Sequence, residues 1–376
     1  MDRRGFVTTG MAAGLTGATA SGNALGALFS RSSLWRVGKT LPNGTVKLSS
    51  NENPLGLSPS AREALVEAIV DANRYPQSGP LMDELARYLG VRPENLTLGF
   101  GSTEILQVVT QAYQGPNVPL IIAEPTFEDI SDYQDTMPFE VVAIPLTSDL
   151  QHDVGRMREA SRRRPSVVYF CNPNNPTGTV TSARDIDAWI ADAPETTTFV
   201  MDEAYLEYVD DAAYAHCLHW IDSKPNVIVV RTFSKIFGMA GLRLGYAVTH
   251  PDTAVRLREH TVQNSPNVLA SAAGIASLKD AGLVERGVAV NAEARAITQA
   301  TLDQLGLEYL PTNTNFIMHR INGDLTTYIN RMRDAGILVG RRFPPMLEWN
   351  RVSFGLPNEM DRWAETLKDF RKKGWV

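Results

Sequence analysis

The stretch Arg231-Thr-Phe-Ser-Lys-Ile-Phe-Gly-Met-Ala-Gly-Leu-Arg-Leu-Gly-Tyr246 decides how the rest of the chain is read. It continues from Val-Ile-Val-Val at 227–230, an apolar, β-branched run that predicts a buried strand. Ser234 and Lys235 therefore fall just past a strand end, on a rigid mount ahead of a glycine-rich turn. A lysine so placed is a candidate for Schiff-base chemistry, because a desolvated amine with cationic neighbours gives up its proton more readily and can add to a carbonyl. Arg243 offers one such cation and could also hold a phosphate. By itself this pattern reads equally as a surface lysine beside a loop.

Two other stretches settle the reading: Asn172-Pro-Asn-Asn-Pro-Thr-Gly178, in a turn after the strand expected at 166–171, and Asp202-Glu-Ala-Tyr205, at the end of the strand expected at 198–201. In order, spacing and strand-end placement the three resemble the signature of the pyridoxal-phosphate (PLP) aminotransferases of class I/II, the fold-type I family. The resemblance covers residues 48–372. It implies an α/β fold, with a large domain built on a mostly parallel sheet flanked by helices and a smaller α+β domain. Strands alternating with helices along 95–230 agree, being the sequence sign of parallel βαβ units.

The resemblance also assigns roles. Lys235 would carry the Schiff base and shuttle the substrate proton, and Ser234 would join it in binding the cofactor. Asp202 would hold the pyridinium nitrogen protonated, so that the ring can act as an electron sink. Asn175 and Tyr205 would hydrogen-bond the 3-oxygen, and Arg243 would hold the phosphate. Phe127 would stack on the ring where the family commonly has Tyr; stacking needs only the ring face. Local residues alone would make Phe127 a core side chain.

The strand at 95–100 runs through Gly101-Ser-Thr-Glu104 into a helix, and such a junction points unpaired N–H groups and the helix dipole outward at an anion. Gly99-Phe-Gly101 invites a dinucleotide reading, but Glu104 stands where the third glycine would be needed. Ser102 and Thr103 are accordingly assigned to the PLP phosphate, while a plain helix cap would use the same Ser102.

Asn51-Glu-Asn-Pro54 and Arg74-Tyr-Pro76 resemble the histidinol-phosphate aminotransferase branch. There the tyrosine reaches the phosphate of the neighbouring subunit, which makes Tyr75 a cofactor contact and the protein a homodimer; Asn53 is carried over as a substrate contact. Arg351 resembles the arginine that clamps a substrate carboxylate or phosphate, a task for a planar bidentate donor. Gly340 departs from the branch, which usually places a phosphate-binding arginine there, and Arg341 or Arg342 is the candidate substitute. The expected reaction is transfer of an amino group between an L-amino acid or amino-alcohol phosphate and a 2-oxo acid. The runner-up is a decarboxylase of the threonine-phosphate type, separable by its lack of a 2-oxo acid requirement. A non-catalytic binding module has no chemical reason to keep Lys235, Asp202, Asn175, Tyr205 and Arg243 together.

Four segments are expected: an export signal at 1–30, an N-terminal piece of the small domain at 31–53, the large domain at 54–262 and the small domain at 263–376. Arg3-Arg4-x-Phe6, a weakly apolar stretch and Ala18-Thr-Ala20 resemble a twin-arginine signal with a cleavage site, too short to anchor in a membrane. A net charge of -6 gives no general attraction for nucleic acid or anionic lipid, and Arg162-Arg-Arg164 reads as a solvated helix end. Cys171 and Cys217 are too few for a disulfide framework. His216 and His219 lack the further ligands of a metal set, so no metal is expected.

Overall fold

The computed structural model describes residues 44–376, so the expected signal at 1–30 and residues 31–43 of the second segment lie outside the described residues. The chain enters along β1 (Val46–Leu48) and builds α1 (Pro59–Ala68). Ser58 starts α1 by accepting from the Ala61 N–H, with Pro59 at the first helical position, where its missing N–H costs nothing. α2 (Gly79–Leu89) stops at Gly90, whose φ of 69° is the left-handed cap that glycine adopts without strain.

Next come β2 (Leu96–Gly99), α3 (Gly101–Tyr113), β3 (Leu120–Glu124), the one-turn α4 (Asp129–Asp132) and β4 (Val141–Pro145). α5 (Val154–Ser161), β5 (Ser166–Cys171), α6 (Ala183–Asp192), β6 (Thr197–Asp202), β7 (Val227–Thr232) and β8 (Gly245–Thr249) follow. The seven strands β2 to β8 form one sheet in the order β2-β8-β7-β6-β5-β3-β4. Only β8 runs against the others. β5, β6 and β7 are buried along their whole length, which is why they read as unbroken apolar runs instead of alternating ones. Because β2, β3, β5, β6 and β7 point the same way, their carboxyl ends share a rim, where an open α/β sheet binds its ligand. Ser102, Phe127, Asn175, Asp202 and Lys235 all stand at or just past those ends.

α7 (Pro251–Arg258), α8 (Val268–Lys279), α9 (Leu283–Leu305), β9 (Phe316–Arg320), α10 (Leu325–Asp334), β10 (Ile337–Val339), β11 (Trp349–Ser353) and α11 (Pro357–Lys372) complete the chain. β1 pairs parallel with β10, and β9 antiparallel with β11. Leu48 meets Leu302, Ile317, Tyr328, Trp363 and Leu367 in a second apolar core, so the entry strand and the last third of the chain are built together.

The boundary expected at 262/263 is corrected. Ala270 and Ala273 of α8 and Leu283 of α9 pack with Leu81 and Phe233 in the first core, and the chain passes to the second only within α9, at Ala294 and Leu302. α8 is small and apolar on every side, so no stripe in its sequence tells which core it serves. The strand expected through 307–319 is also shorter. The Thr312 and Thr314 hydroxyls fold back on Phe316 O at 2.6 and 3.0 Å, and regular pairing begins only at Phe316. Among the described residues no helix is long and apolar enough to cross a membrane, and no group of three His, Cys, Asp or Glu side chains could hold a metal ion.

Candidate active site

A cavity of about 400 Å³ opens at the rim, lined by Asp202 and Lys235 at the ends of β6 and β7, by Arg341 of the loop after β10 and by Arg351 of β11. One end is an anion cradle. The first turn of α3 leaves backbone N–H groups without intrahelical acceptors, and the helix dipole favours negative charge there. Two glycines let other groups close on this turn: a Cβ on Gly245 would stand 2.3 Å from Ser102 N, and one on Gly101 (φ +76°) 2.4 Å from Arg243 Nη2. Arg243 is itself left-handed, with φ 58°, a conformation costing a non-glycine residue about 1 kcal/mol or more. Its guanidinium donates to Ala240 O at 3.0 Å and Phe100 O at 3.4 Å, which stations it over the start of α3. Ser234 Oγ accepts from Thr232 Oγ1 at 2.9 Å, so its own hydroxyl proton is left for a ligand.

Further along the cavity, Asp202 ends β6 beside Cys171 of β5. Its carboxylate is buried and accepts from Tyr169 Oη at 2.8 Å and Ala204 N at 3.1 Å. Burial pushes the carboxyl up to about 6, against the pull of these two donors and of Lys235. A buried carboxylate at a ligand cavity is stabilised by a bound cation such as a protonated ring nitrogen. Lys235 Nζ donates to Asn51 O at 3.3 Å and lies 5.3 Å from the centre of the Tyr205 ring. Burial, helped by the charge of Arg351, lowers its ammonium to about 8, so an appreciable fraction is free amine near neutral pH. Phe127, half-buried, lines the cavity.

Arg351 Nη1 donates to Asn175 Oδ1 at 2.6 Å and Nη2 to Ser49 O at 3.1 Å, while its buried Nε has no protein acceptor. Two of the five guanidinium N–H donors are thus engaged, which leaves three for an incoming anion. Phe343 stands between two guanidinium groups, its ring centre 4.5 Å from that of Arg351 and 4.3 Å from that of Arg341, which also pairs with Glu128.

Two assigned residues lie elsewhere. Asn53 commits its amide to Ile236 O at 2.7 Å and its Oδ1 to Leu55 N at 3.0 Å, clamping the lysine loop from outside, so the substrate contact assigned to it is withdrawn. The asparagine that enters the cavity is Asn51, two residues earlier and left-handed at φ 53°. It donates to Tyr205 Oη at 3.1 Å and exchanges hydrogen bonds with Ser353 at 2.8 Å. Tyr75 is 81% exposed and lines no part of this chain's own cavity. Tyr169, Asp129 and Phe343 were not singled out by sequence; of these only Tyr169 had a signal, a polar tip inside an expected buried strand.

The residues fit a bound PLP: a cradle for its phosphate, Asp202 for its ring nitrogen, Asn175 and Tyr205 for its oxygen, and a desolvated lysine for its carbonyl carbon. That set defines a PLP-dependent enzyme. The chain belongs to the aminotransferase class I and II family, whose model matches residues 43–367, and is a PLP-dependent transaminase. It is 37% identical over 297 residues to a histidinol-phosphate aminotransferase of Moorella thermoacetica, covering 78% of this chain and 77% of the relative. The structure of histidinol-phosphate aminotransferase from Sinorhizobium meliloti, in complex with pyridoxal-5'-phosphate, superposes with a TM-score of 0.82 at 27% identity over 95% of each chain. L-threonine-O-3-phosphate decarboxylase from Porphyromonas gingivalis shares the fold alone, with a TM-score of 0.74 at 23% identity, covering 87% of this chain and 99% of that one.

Proposed function

We propose that the enzyme moves an amino group between an amine bearing a second, anionic group, an L-amino acid or an amino-alcohol phosphate of the histidinol-phosphate kind, and a 2-oxo acid. The observation that carries this is the pair of guanidinium groups, Arg351 and Arg341, flanking Phe343 at the substrate end of the cavity. A side chain at Gly340 would force the backbone apart: its Cβ would lie 2.3 Å from Arg351 O, in a backbone contact that also carries the Gly340 N–H to Arg351 O bond at 2.8 Å. The second cation therefore comes from the next residue, Arg341.

When bound, PLP supplies an electron-poor ring that accepts the electron pair left as the substrate Cα–H bond breaks. Lys235 Nζ takes that proton and returns it to the carbon on the far side of the amino nitrogen, acting as base and then acid. Asp202 keeps the ring nitrogen protonated, and Arg351 fixes the substrate anion so that Cα–H faces the lysine.

Stopped-flow absorbance with L-amino acids, histidinol phosphate and unphosphorylated histidinol tests the reading, alongside assays for 2-oxo acid consumption and CO2. Arg341→Gln should lower kcat/KM for the phosphate substrate by about tenfold or more, the worth of one charge-assisted hydrogen bond, and spare histidinol. Carbon dioxide release with no 2-oxo acid requirement would hand the protein to the decarboxylase reading.

We further propose a homodimer in which Tyr75 serves the partner's cofactor; its exposure supports this, since the described residues leave it 81% exposed. Mixing Tyr75→Phe with Lys235→Ala subunits should restore one working site per mixed dimer, whereas verified mixed dimers that stay inactive would confine Tyr75 to packing. Export by the twin-arginine route rests on Arg3-Arg4-x-Phe6. Cell fractionation should find the protein outside the cytoplasm and an Arg3→Lys, Arg4→Lys variant inside it; wild-type protein retained with its first residues intact would remove the export claim.

A further inference from the structure

Asp129 is a carboxylate where a phosphate is to be held. It lines the cavity, half-buried, and Thr103 Oγ1 donates to its Oδ2 at 3.0 Å. A threonine hydroxyl has one proton. While Asp129 is ionised it can only accept, so the Thr103 proton points at Asp129 and two oxygen lone pairs face the cradle. The other hydroxyl of the cradle is set the opposite way, since Thr232 donates to Ser234 and leaves the Ser234 proton free.

We propose that Asp129 is a proton-dependent anchor of the cofactor phosphate: protonated, it donates to Thr103 Oγ1, which turns the Thr103 hydroxyl to donate to the phosphate, so that binding takes up a proton at this carboxyl. The inference concerns the cofactor site and holds whichever amine is the substrate.

The surroundings favour that proton. Burial raises the Asp129 carboxyl above the ordinary range, and Asp132 and Glu128 of its own helix raise it further, while Thr103 and Arg243 pull it down. Asp202 faces it from β6 and Tyr133 from the turn after α4, neither bringing positive charge. Glu104 of α3 is committed to the Phe100 and Val262 N–H groups. Arg341 is held by Glu128. Among the described residues Arg243 is the cation that pulls Asp129 down, and a bound phosphate would take up its charge. A dianion entering beside an ionised Asp129 would meet both like charge and a hydroxyl oxygen aimed at it.

The test uses full-length apoprotein and 4′-deoxypyridoxine 5′-phosphate, which cannot bond to Lys235, with affinity measured from pH 5.5 to 8.5. Unphosphorylated 4′-deoxypyridoxine is the control ligand. Asp129→Asn keeps a permanent donor beside Thr103. Relative to it, wild-type affinity for the phosphorylated ligand should fall by about tenfold per pH unit once Asp129 ionises, as one coupled proton requires. The control ligand should show no such divergence, and in a Thr103→Val background the effect of Asp129→Asn should vanish. Parallel pH profiles for wild type and Asp129→Asn overturn the proposal. So does a difference that persists without the Thr103 hydroxyl, which would reduce Asp129 to a charge acting at a distance. Circular dichroism on each variant establishes that it is folded.

Discussion

Lys235→Ala should bind PLP yet lose transamination by at least the 10²–10⁴-fold, roughly, that a positioned acid–base group contributes. The cradle of Ser102, Ser234 and Arg243 and the carboxylate of Asp202 are independent of the lysine side chain, so cofactor retention and rate should separate. Among the described residues the other cations that line the cavity, Arg243, Arg341 and Arg351, are arginines, and a guanidinium does not give up its proton at working pH, so none of them can take over. The lowering of Lys235 to about 8 comes from burial and Arg351, so the wild-type rate should climb with pH as the free amine accumulates. The alanine variant should lack that limb. In wild type, borohydride should fix the cofactor on the peptide containing Lys235; label on another lysine, or an alanine variant with near-normal turnover, would sink the assignment.

How much of this was legible in the sequence depends on the distance over which each feature is made. Strands β5, β6 and β7 announce themselves because burial on both faces forces continuous apolar runs, and a residue just past such a run must stand at the rim of a parallel sheet. Asn175, Asp202 and Lys235 could be placed that way before any contact was known. Asn51 and Asn53 could not be told apart, because both lie in one extended tetrapeptide. What separates them is a left-handed turn at Asn51 and the Ile236 carbonyl that claims Asn53, 183 positions away in the chain. Phe343 escaped notice, and Arg341 could not be told from Arg342, for a related reason. Their loop is irregular, and its place at the cavity follows from the pairing of β9 with β11, which no local pattern reports. Asp129 carries no local pattern that marks it. Its meaning comes from one hydrogen bond to Thr103, 26 residues back.

Asp202→Asn should retain folded protein and most cofactor binding but slow turnover about 10²–10³-fold, the cost of losing one preorganised electrostatic contact of roughly 2.7–4 kcal/mol. An amide can hydrogen-bond a ring nitrogen but cannot hold its positive charge, and a neutral ring is a poor sink for the electron pair from Cα. The substitution is nearly isosteric: Ala204 N can still donate to Oδ1, and the Tyr169 hydroxyl, which faces the other oxygen, can turn to accept from the new amide NH2, so little of the loss should come from misfolding. The pH dependence separates charge from shape. Burial holds the Asp202 carboxyl up near 6 in the free protein, so the form that can hold a ring proton is present above about pH 6 and is lost as pH falls through that value. A bound ring cation favours the ionised form, which moves the acid limb of the loaded enzyme lower still. Asp129 makes the opposite demand, and the two carboxyls together bound a band of pH, Asp202 through the rate at its acid edge and Asp129 through cofactor affinity at its alkaline edge. Asp202→Asn should erase the acid edge of that band and leave the alkaline edge, whereas Asp129→Asn should do the reverse. An Asp202→Asn enzyme that keeps both its rate and its acid edge would show that the ring nitrogen is held by some other group.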